Sequence, residues 1–107
     1  MLINTNKTVA AGDIVAVKLT SGEEILAKLV KVEGETYTFS KPVILTLVPT
    51  GNGQAGVSFA PFMMGLDDDT EVTIEYHKML MKPIVARKDA ATQYVKSTTG
   101  LDLSASL

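Results

Sequence analysis

The residues best suited to bind a ligand lie in one short stretch, Tyr76-His77-Lys78, with another basic residue, Lys82, close behind. A lysine ammonium neutralises a phosphate, and the rings of histidine and tyrosine hydrogen-bond to a nucleic-acid base or stack on it. These residue types at this spacing are candidates for contact with single-stranded RNA or DNA. The alternative is that His77 and Lys78 are solvated side chains of a turn and bind nothing.

A second candidate for base contact is Tyr37, which alternates with Phe39 in a segment of strand-like pattern. An exposed tyrosine ring can serve as a stacking platform for a base. Two aromatic residues at a spacing of two also share one face of a strand, and such a face usually belongs to the core. Both interpretations of Tyr37 are open at this point.

Catalytic and metal-binding patterns are not evident in the sequence. The chain has one histidine and no cysteine, which excludes disulfides, thiolate nucleophiles and cysteine-based zinc sites. The glycines at 51 and 53 lack the Lys-Ser/Thr sequence of a phosphate-binding loop. The acidic run 67–69 has no calcium-loop spacing, and a solvated turn accounts for it. We therefore expect no enzyme activity, no metal and no cofactor.

Composition favours one folded domain, because the 107 residues are 46% hydrophobic and 21% charged. No apolar run reaches the roughly 18 residues of a membrane span, and the first residues lack a signal-peptide pattern. A cytoplasmic protein without a membrane partner is expected. The net charge of −2 does not favour general affinity for nucleic acid.

Charge is nevertheless segregated along the chain. The segment 67–75 contains acidic residues and no basic one, whereas the segment 77–88 contains basic residues and no acid. Arg87 and Lys88 could extend a basic surface from Lys82, or the two segments are solvated faces of opposite sign.

Alternation of apolar and polar residues predicts an all-β domain. A bulge or bend is expected at Pro42, because proline donates no hydrogen bond to a neighbouring strand. After Asp89, a residue type suited to an N-cap, the spacing becomes helical. The predicted strands are 14–19, 24–32, 36–48, 57–64, 72–76 and 79–86. The predicted domain is the whole chain, 1–107, with an N-terminal arm at 1–11, a barrel at 12–87, a helix at 88–99 and a loosely held tail at 100–107.

Short strands in hairpin order expose two sheet edges unless the sheet bends into a barrel. Edges left over from an imperfect closure can pair between copies of the chain and form a closed ring. Apolar side chains in the later strands suit such an interface, as does a cluster rich in methionine. The residues expected there are Val57, Phe59, Phe62, Met63, Met79 and Met81.

Two segments resemble the Sm and Sm-like proteins. The pattern Val15-x-Val17-x-Leu19, followed by Gly22, Ala27 and Leu29, resembles their first signature segment. Tyr76-His77-Lys78 is similar to the Tyr-Lys-His motif that precedes the last strand in the Hfq family of bacterial RNA chaperones, with histidine and lysine transposed. The overall layout resembles Sm-like proteins of marine phage and metagenomic origin.

The resemblance implies a small, strongly bent, five-stranded Sm-like barrel with a short C-terminal helix. It implies a homo-oligomeric ring of about five to seven subunits, in which the fourth strand of one copy pairs with the fifth strand of the next. Such a ring would bind single-stranded RNA or DNA in nucleic-acid processing, in the host cytoplasm if the protein is of phage origin.

Several positions depart from the Sm pattern. The family's Asp and Asn, which help to hold a base, are replaced by Glu33 and by Thr36 or Tyr37. Pro83 interrupts the last strand, and residues 1–11 show no N-terminal helix. The missing asparagine amide removes a group that both donates to and accepts from a base edge. An alternative function is therefore a structural or adaptor oligomer that binds proteins and no nucleic acid.

Overall fold

The computed structural model describes residues 8–67 and 69–99. They form six strands, one 3₁₀ turn and one helix; the sequence pattern predicted six strands, whereas the resemblance implied a five-stranded barrel. The strands are β1 (Ile14–Lys18), β2 (Glu24–Glu33), β3 (Thr36–Pro49), β4 (Ala55–Pro61), β5 (Glu71–Glu75) and β6 (Ile84–Val85), the 3₁₀ turn is Tyr76–Lys78, and the helix is α1 (Lys88–Thr98). Residues 1–7 of the expected arm and the expected tail lie outside the described residues.

The strands form an antiparallel sheet in the order β4-β3-β2-β1-β6, and β5 also pairs with β3. β3 is long enough to pair with two strands along one edge. Residues 36–40 pair with β5, and residues 43–49 pair with β4. The all-β class with a C-terminal helix is confirmed. Among the described strands, β6 stands at one end of the sheet, and β4 and β5 stand at the other.

A bulge interrupts β3 at the point where its partner changes from β5 to β4. Leu26 of β2 pairs with Val43 and Lys28 pairs with Ser40, so β3 has one more residue than β2 between these pairs. Lys41 adopts a φ of +52°, in the left-handed region that few non-glycine residues occupy. Pro42 beside it has no N–H to donate to β2. The irregularity predicted at Pro42 is confirmed.

The core lies on one face of the sheet and follows the alternation of β1, β2 and β3. Successive side chains of a strand point to opposite faces, so every second residue enters the core. Leu26 points to the other face and is also buried, so β2 is covered on both sides over part of its length. The buried core residues are Val15, Val17, Leu19, Ile25, Ala27, Leu29, Tyr37, Phe39 and Met79.

Helix α1 packs against the sheet on the face of Leu26, opposite to the core, and makes contacts with β2. Tyr94 anchors it and is 2% exposed. The hydroxyl of Tyr94 donates to the carbonyl oxygens of Ser40 at 3.1 Å and of Lys41 at 2.7 Å. This helix therefore meets the sheet at the bulge of β3.

The N-terminus of α1 differs from the prediction. Arg87 is the N-cap residue, and Asp89 lies within the first turn. The Asp89 carboxylate accepts hydrogen bonds there from the Ala90 N–H at 2.8 Å and from the Arg87 guanidinium at 3.0 Å. A carboxylate in the first turn of a helix also interacts favourably with the helix dipole.

The predicted strand 79–86 is mostly wrong. Met79 makes a single bridge with Leu19, and only Ile84–Val85 forms a strand, which pairs with Val15 and Ala16 of β1. Pro83 precedes this short strand and cannot donate a ladder hydrogen bond. No helix in the described part of the chain has the length and apolar character to cross a membrane.

We predict that Tyr94→Phe destabilises the protein at neutral pH by about 1–2 kcal/mol, because the Ser40 and Lys41 carbonyls lose a buried donor. Urea denaturation measures this loss. Burial raises the pKa of Tyr94 to about 12, whereas an unfolded tyrosine titrates near 10. The folded state therefore favours the protonated phenol, and this contribution is complete below about pH 10 and is lost as the pH rises to about 12.

The Tyr94→Phe variant also tests the pH dependence of the free energy of unfolding. The free energy of unfolding of the wild-type protein should fall more steeply than that of Tyr94→Phe between about pH 10 and 12, because the variant has no phenol at this position. Parallel curves for the two proteins over this range would contradict a raised pKa of Tyr94 in the folded state.

Candidate functional site

The 3₁₀ turn Tyr76–Lys78 is held by backbone hydrogen bonds from two sides. The Tyr76 N–H donates to the Glu35 carbonyl at 2.7 Å, and the Thr20 N–H donates to the Lys78 carbonyl at 2.8 Å. Within the turn, the Met79 N–H donates to the Tyr76 carbonyl at 2.9 Å. The turn therefore has a defined position between the β2–β3 turn and the end of β1.

The three side chains of this turn have different environments. Tyr76 is half-buried and packs against the core, whereas His77 and Lys78 are exposed. His77 Nδ1 lies 3.3 Å from Glu75 Oε1, and both of these side chains are mostly exposed. The turn thus anchors its tyrosine and presents one imidazole and one ammonium to solvent. Lys82, four residues beyond Lys78, is also exposed.

Tyr37 belongs to the core and not to a binding surface. Its relative exposure is 7%, and its ring is parallel to that of Phe39 within 10°, with 6.4 Å between the ring centroids. A ring buried in this way has no free face on which a base could stack. Tyr37 lies close to the turn, since it pairs with Ile74 of β5, but it is buried whereas His77 and Lys78 are exposed.

The residues that the resemblance matches to the Asp and Asn of Sm proteins, Glu33 and either Thr36 or Tyr37, flank the turn between β2 and β3. Glu33 Oε1 lies 3.6 Å from Lys31 Nζ, and the Thr36 hydroxyl donates to the Glu33 carbonyl at 2.8 Å. The side chains of Glu33 and Thr36 therefore both have partners nearby in the chain. Glu35 and Glu75 are also exposed near the 3₁₀ turn, so its positive charge is partly offset by carboxylates.

The residues expected at a subunit interface divide into three groups. Met79 is 5% exposed and packs in the core of its own chain, so it is not available to a neighbouring copy. Met81 is exposed, together with Leu80 and Ile84, beside the edge formed by β6. The other four, Val57, Phe59, Phe62 and Met63, line one groove.

This groove has a volume of about 550 Å³ and lies between the β3–β4 hairpin, the segment after β4 and the last turns of α1. Gln93, Ser97 and Thr98 contribute its helical wall. The sequence identified the apolar cluster but gave no signal for these three residues. These three residues line the groove because α1 packs at this place on the sheet. Only the tertiary structure determines that place.

Within the described residues, no three side chains of the types His, Cys, Asp and Glu come together to hold a metal ion. The ion pairs found there are all exposed and join residues two positions apart, as in Lys31–Glu33, Glu75–His77 and Arg87–Asp89. Such pairs contribute little to stability, typically about 0–1 kcal/mol. They are local features of turns and of a helix start.

No protein-family model matches this chain, and a search of curated proteins finds no match either. The candidate functional features are therefore identified from the sequence and structure of this chain and not from a relative. They are the exposed pair His77 and Lys78 on a fixed turn, the apolar residues beside β6, and the groove beside α1, which is lined by both apolar and polar side chains.

We predict that Tyr37→Phe changes the free energy of unfolding by less than about 1 kcal/mol, whereas Tyr37→Ala lowers it by about 3–5 kcal/mol. Phenylalanine keeps the ring that packs on Phe39, and alanine leaves a cavity. Chemical denaturation of both variants measures the difference. A small loss for Tyr37→Ala would indicate that the ring is not part of the core.

Proposed function

We propose that this chain is the subunit of an Sm-like ring that binds single-stranded RNA or DNA at the turn Tyr76–Lys78. The observation that carries the proposal is the construction of this turn. Its tyrosine packs on the core, its backbone is bonded to two neighbouring turns, and His77 and Lys78 extend into solvent. A fixed cation beside a ring that hydrogen-bonds or stacks is an arrangement suited to a phosphate and its base.

Backbone contacts around the turn support closure of the sheet into a small barrel. β3 bends at its bulge and reaches both β4 and β5. Past β5, the 3₁₀ turn returns the chain to β1, where the Leu80 N–H donates to the Lys18 carbonyl at 2.9 Å. β6 then pairs with the other part of β1. The turn therefore brings the chain that follows β5 beside β1, and this contact supports the proposed closure.

Ring assembly follows in this proposal from the edges that remain. β5 pairs only with β3 and β6 pairs only with β1 among the described strands, so each has an edge available to another copy. Leu80, Met81 and Ile84 are exposed beside the edge of β6. Pairing β5 of one copy with the β6 side of the next is a head-to-tail contact, which generates a ring if the rotation closes.

A ring would repeat the turn once per subunit. One exposed lysine and one histidine bind a single phosphate weakly, and the nearby Glu35 and Glu75 weaken this attraction further. Several turns acting on one strand raise the overall affinity through effective concentration, without any new contact. Nucleic-acid binding by this chain therefore depends on its assembly.

The second candidate function is an adaptor oligomer that binds proteins. The exposed carboxylates Glu33, Glu35 and Glu75 near the turn favour it, because they repel phosphates. The Asn amide of the family's base pocket is also replaced, by Thr36 or Tyr37, and the Thr36 hydroxyl is bonded to the backbone.

Assembly is tested by the mass of the protein in solution. We predict a single oligomeric species, which Met81→Lys converts to smaller species because the substitution places a charge in the proposed contact. Val95→Lys is the matched control, since Val95 is 43% exposed on α1 and Met81 is 47% exposed. Light scattering after gel filtration measures both variants. A monomeric wild-type protein would contradict both candidate functions.

Nucleic-acid binding is tested with fluorescently labelled single-stranded RNA and DNA at low salt. We predict that Lys78→Gln weakens binding and lowers the slope of log affinity against log salt by about one for each phosphate that the lysine neutralises. His77→Ala should weaken binding as well. Lys96→Gln, which removes an exposed charge from α1, is the control and should leave the affinity unchanged. Absence of binding by the intact oligomer would exclude the nucleic-acid function and favour the adaptor.

A further inference from the structure

The outer edge of β4 lacks the features that normally protect an exposed strand edge. Natural proteins block such an edge with charged residues, proline, a bulge or a covering element. Residues 42–66 contain no Asp, Glu, Lys, Arg or His, so β4 and the segments on both sides of it are uncharged. The register of β4 with β3 runs without a shift, and the only proline of β4 is its last residue, Pro61. Among the described strands only β3 pairs with β4, so one edge of β4 is open to a further strand.

The register of the hairpin determines which backbone groups of β4 point to this open edge. The Thr50 N–H donates to the Gln54 carbonyl at 3.1 Å, and these two residues continue the register of β3 with β4. Hydrogen-bonded and non-hydrogen-bonded pairs alternate along an antiparallel ladder. The residues at even positions of β4 therefore bond to β3, and those at odd positions turn their backbone groups outward. The outward N–H groups are those of Ala55, Val57 and Phe59.

These outward groups are complementary to those of a second copy of the same strand. When two copies of β4 lie antiparallel about a two-fold axis at Val57, Val57 faces its own counterpart and Ala55 faces Phe59 of the second copy. Both members of each pair turn their N–H and C=O groups towards each other, so each pair exchanges two hydrogen bonds. A two-fold contact brings the same surface of both copies together, and like charges directly opposite each other are destabilising. The uncharged edge of β4 avoids this repulsion.

The side chains on one face of the hairpin also suit this contact. Leu45 pairs with Phe59 and Leu47 pairs with Val57, and directly paired residues of antiparallel strands share a face. Towards the tip of the hairpin this face is open to solvent, since Leu47 is 75% exposed and Val57 is 60% exposed. A second β4 alongside the first extends the apolar face across both hairpins. The contact between its valine and phenylalanine side chains removes apolar area from water, which is favourable in proportion to that area.

The groove beside α1 provides space along this edge. Its lining includes side chains from both faces of β4, such as Phe59 and Ser58, but not their neighbours Leu45 and Thr46 on β3. A cavity bordered by both faces of one strand, and not by the neighbouring strand at these positions, lies at the edge of the sheet. The outer side of β4 therefore has room for a further strand.

We propose that β4 pairs with β4 of a second copy of this chain, antiparallel and centred on Val57, so that the two hairpins form one four-stranded sheet. This contact uses the edge of neither β5 nor β6, so it goes beyond the proposed ring and does not depend on it. In a ring of equivalent subunits, the two-fold contact joins each subunit to a subunit of a second ring.

The absence of cysteine allows a direct test by disulfide formation between copies of the full-length chain. In the proposed register the two Cα atoms of residue 57 are roughly 5.5 Å apart, a distance that a disulfide spans. Those of residue 58 are diagonal neighbours at about 7–8 Å, which a disulfide does not span without backbone movement. After oxidation, we expect Val57→Cys to give several-fold more disulfide-linked dimer on a non-reducing gel than Ser58→Cys. Both residues are exposed, so equal yields would overturn the proposal.

Solution mass gives a second measurement without cysteine, in the Met81→Lys background that removes the proposed ring contact. We expect Met81→Lys to be a dimer, and Met81→Lys with Val57→Lys to be a monomer because two lysines then oppose each other at the two-fold axis. Leu47→Lys in the same background is the matched control, since Leu47 is exposed on the same face one strand away, and this variant should stay dimeric.

The outcomes separate this contact from the ring. A monomeric Met81→Lys protein would overturn the two-fold contact and leave the ring intact. Equal loss of the dimer in the Val57→Lys and Leu47→Lys variants would indicate packing through the apolar face and would overturn the edge pairing. A wild-type protein that is already a dimer, and that Val57→Lys alone converts to a monomer, would support the two-fold contact and contradict the ring.

Discussion

The arrangement of this molecule depends on one interruption in hydrogen bonding, at Lys41 and Pro42 of β3. Proline has no N–H, so a continuous ladder with β2 cannot pass through this position. The chain accommodates it with an extra residue and with Lys41 in the left-handed region. β5 pairs before this point and β4 after it, and the Tyr94 hydroxyl binds the carbonyl oxygens of Ser40 and Lys41. The bulge therefore determines where β5 and β4 pair with β3 and where α1 packs on the sheet.

A second constraint acts at the turn Tyr76–Lys78. A bulky, half-buried tyrosine and backbone bonds to Glu35 and Thr20 hold it against the sheet. A turn built in this way presents His77 and Lys78 at low cost in conformational entropy when a ligand binds, because the backbone is already ordered. The neighbouring carboxylates work in the opposite direction by reducing the local positive potential. In the proposed function, these two effects act in opposite directions on the affinity for nucleic acid.

Local patterns in the sequence were sufficient for much of the fold. Alternation identified the faces of β1, β2 and the first half of β3, because a strand that covers a core on one side repeats every two residues. Pro42 predicted the bulge because proline has no N–H to donate to a neighbouring strand. The helical spacing after Asp89 predicted the location of α1. The segment 79–86 was misassigned because its apolar residues resemble a strand, whereas Pro83 and the 3₁₀ turn leave only two residues paired with β1.

What the sequence alone determined is therefore the all-β class, the position of the bulge and the location of α1. Only the tertiary structure decided that Tyr37 lies in the core, that Met79 is not available to a partner, and that Val57 and Phe59 share a groove with Thr98. The physical reason is that burial and groove formation depend on contacts between residues distant in the chain. A periodic pattern tells which side chains share a face, but not which element covers that face.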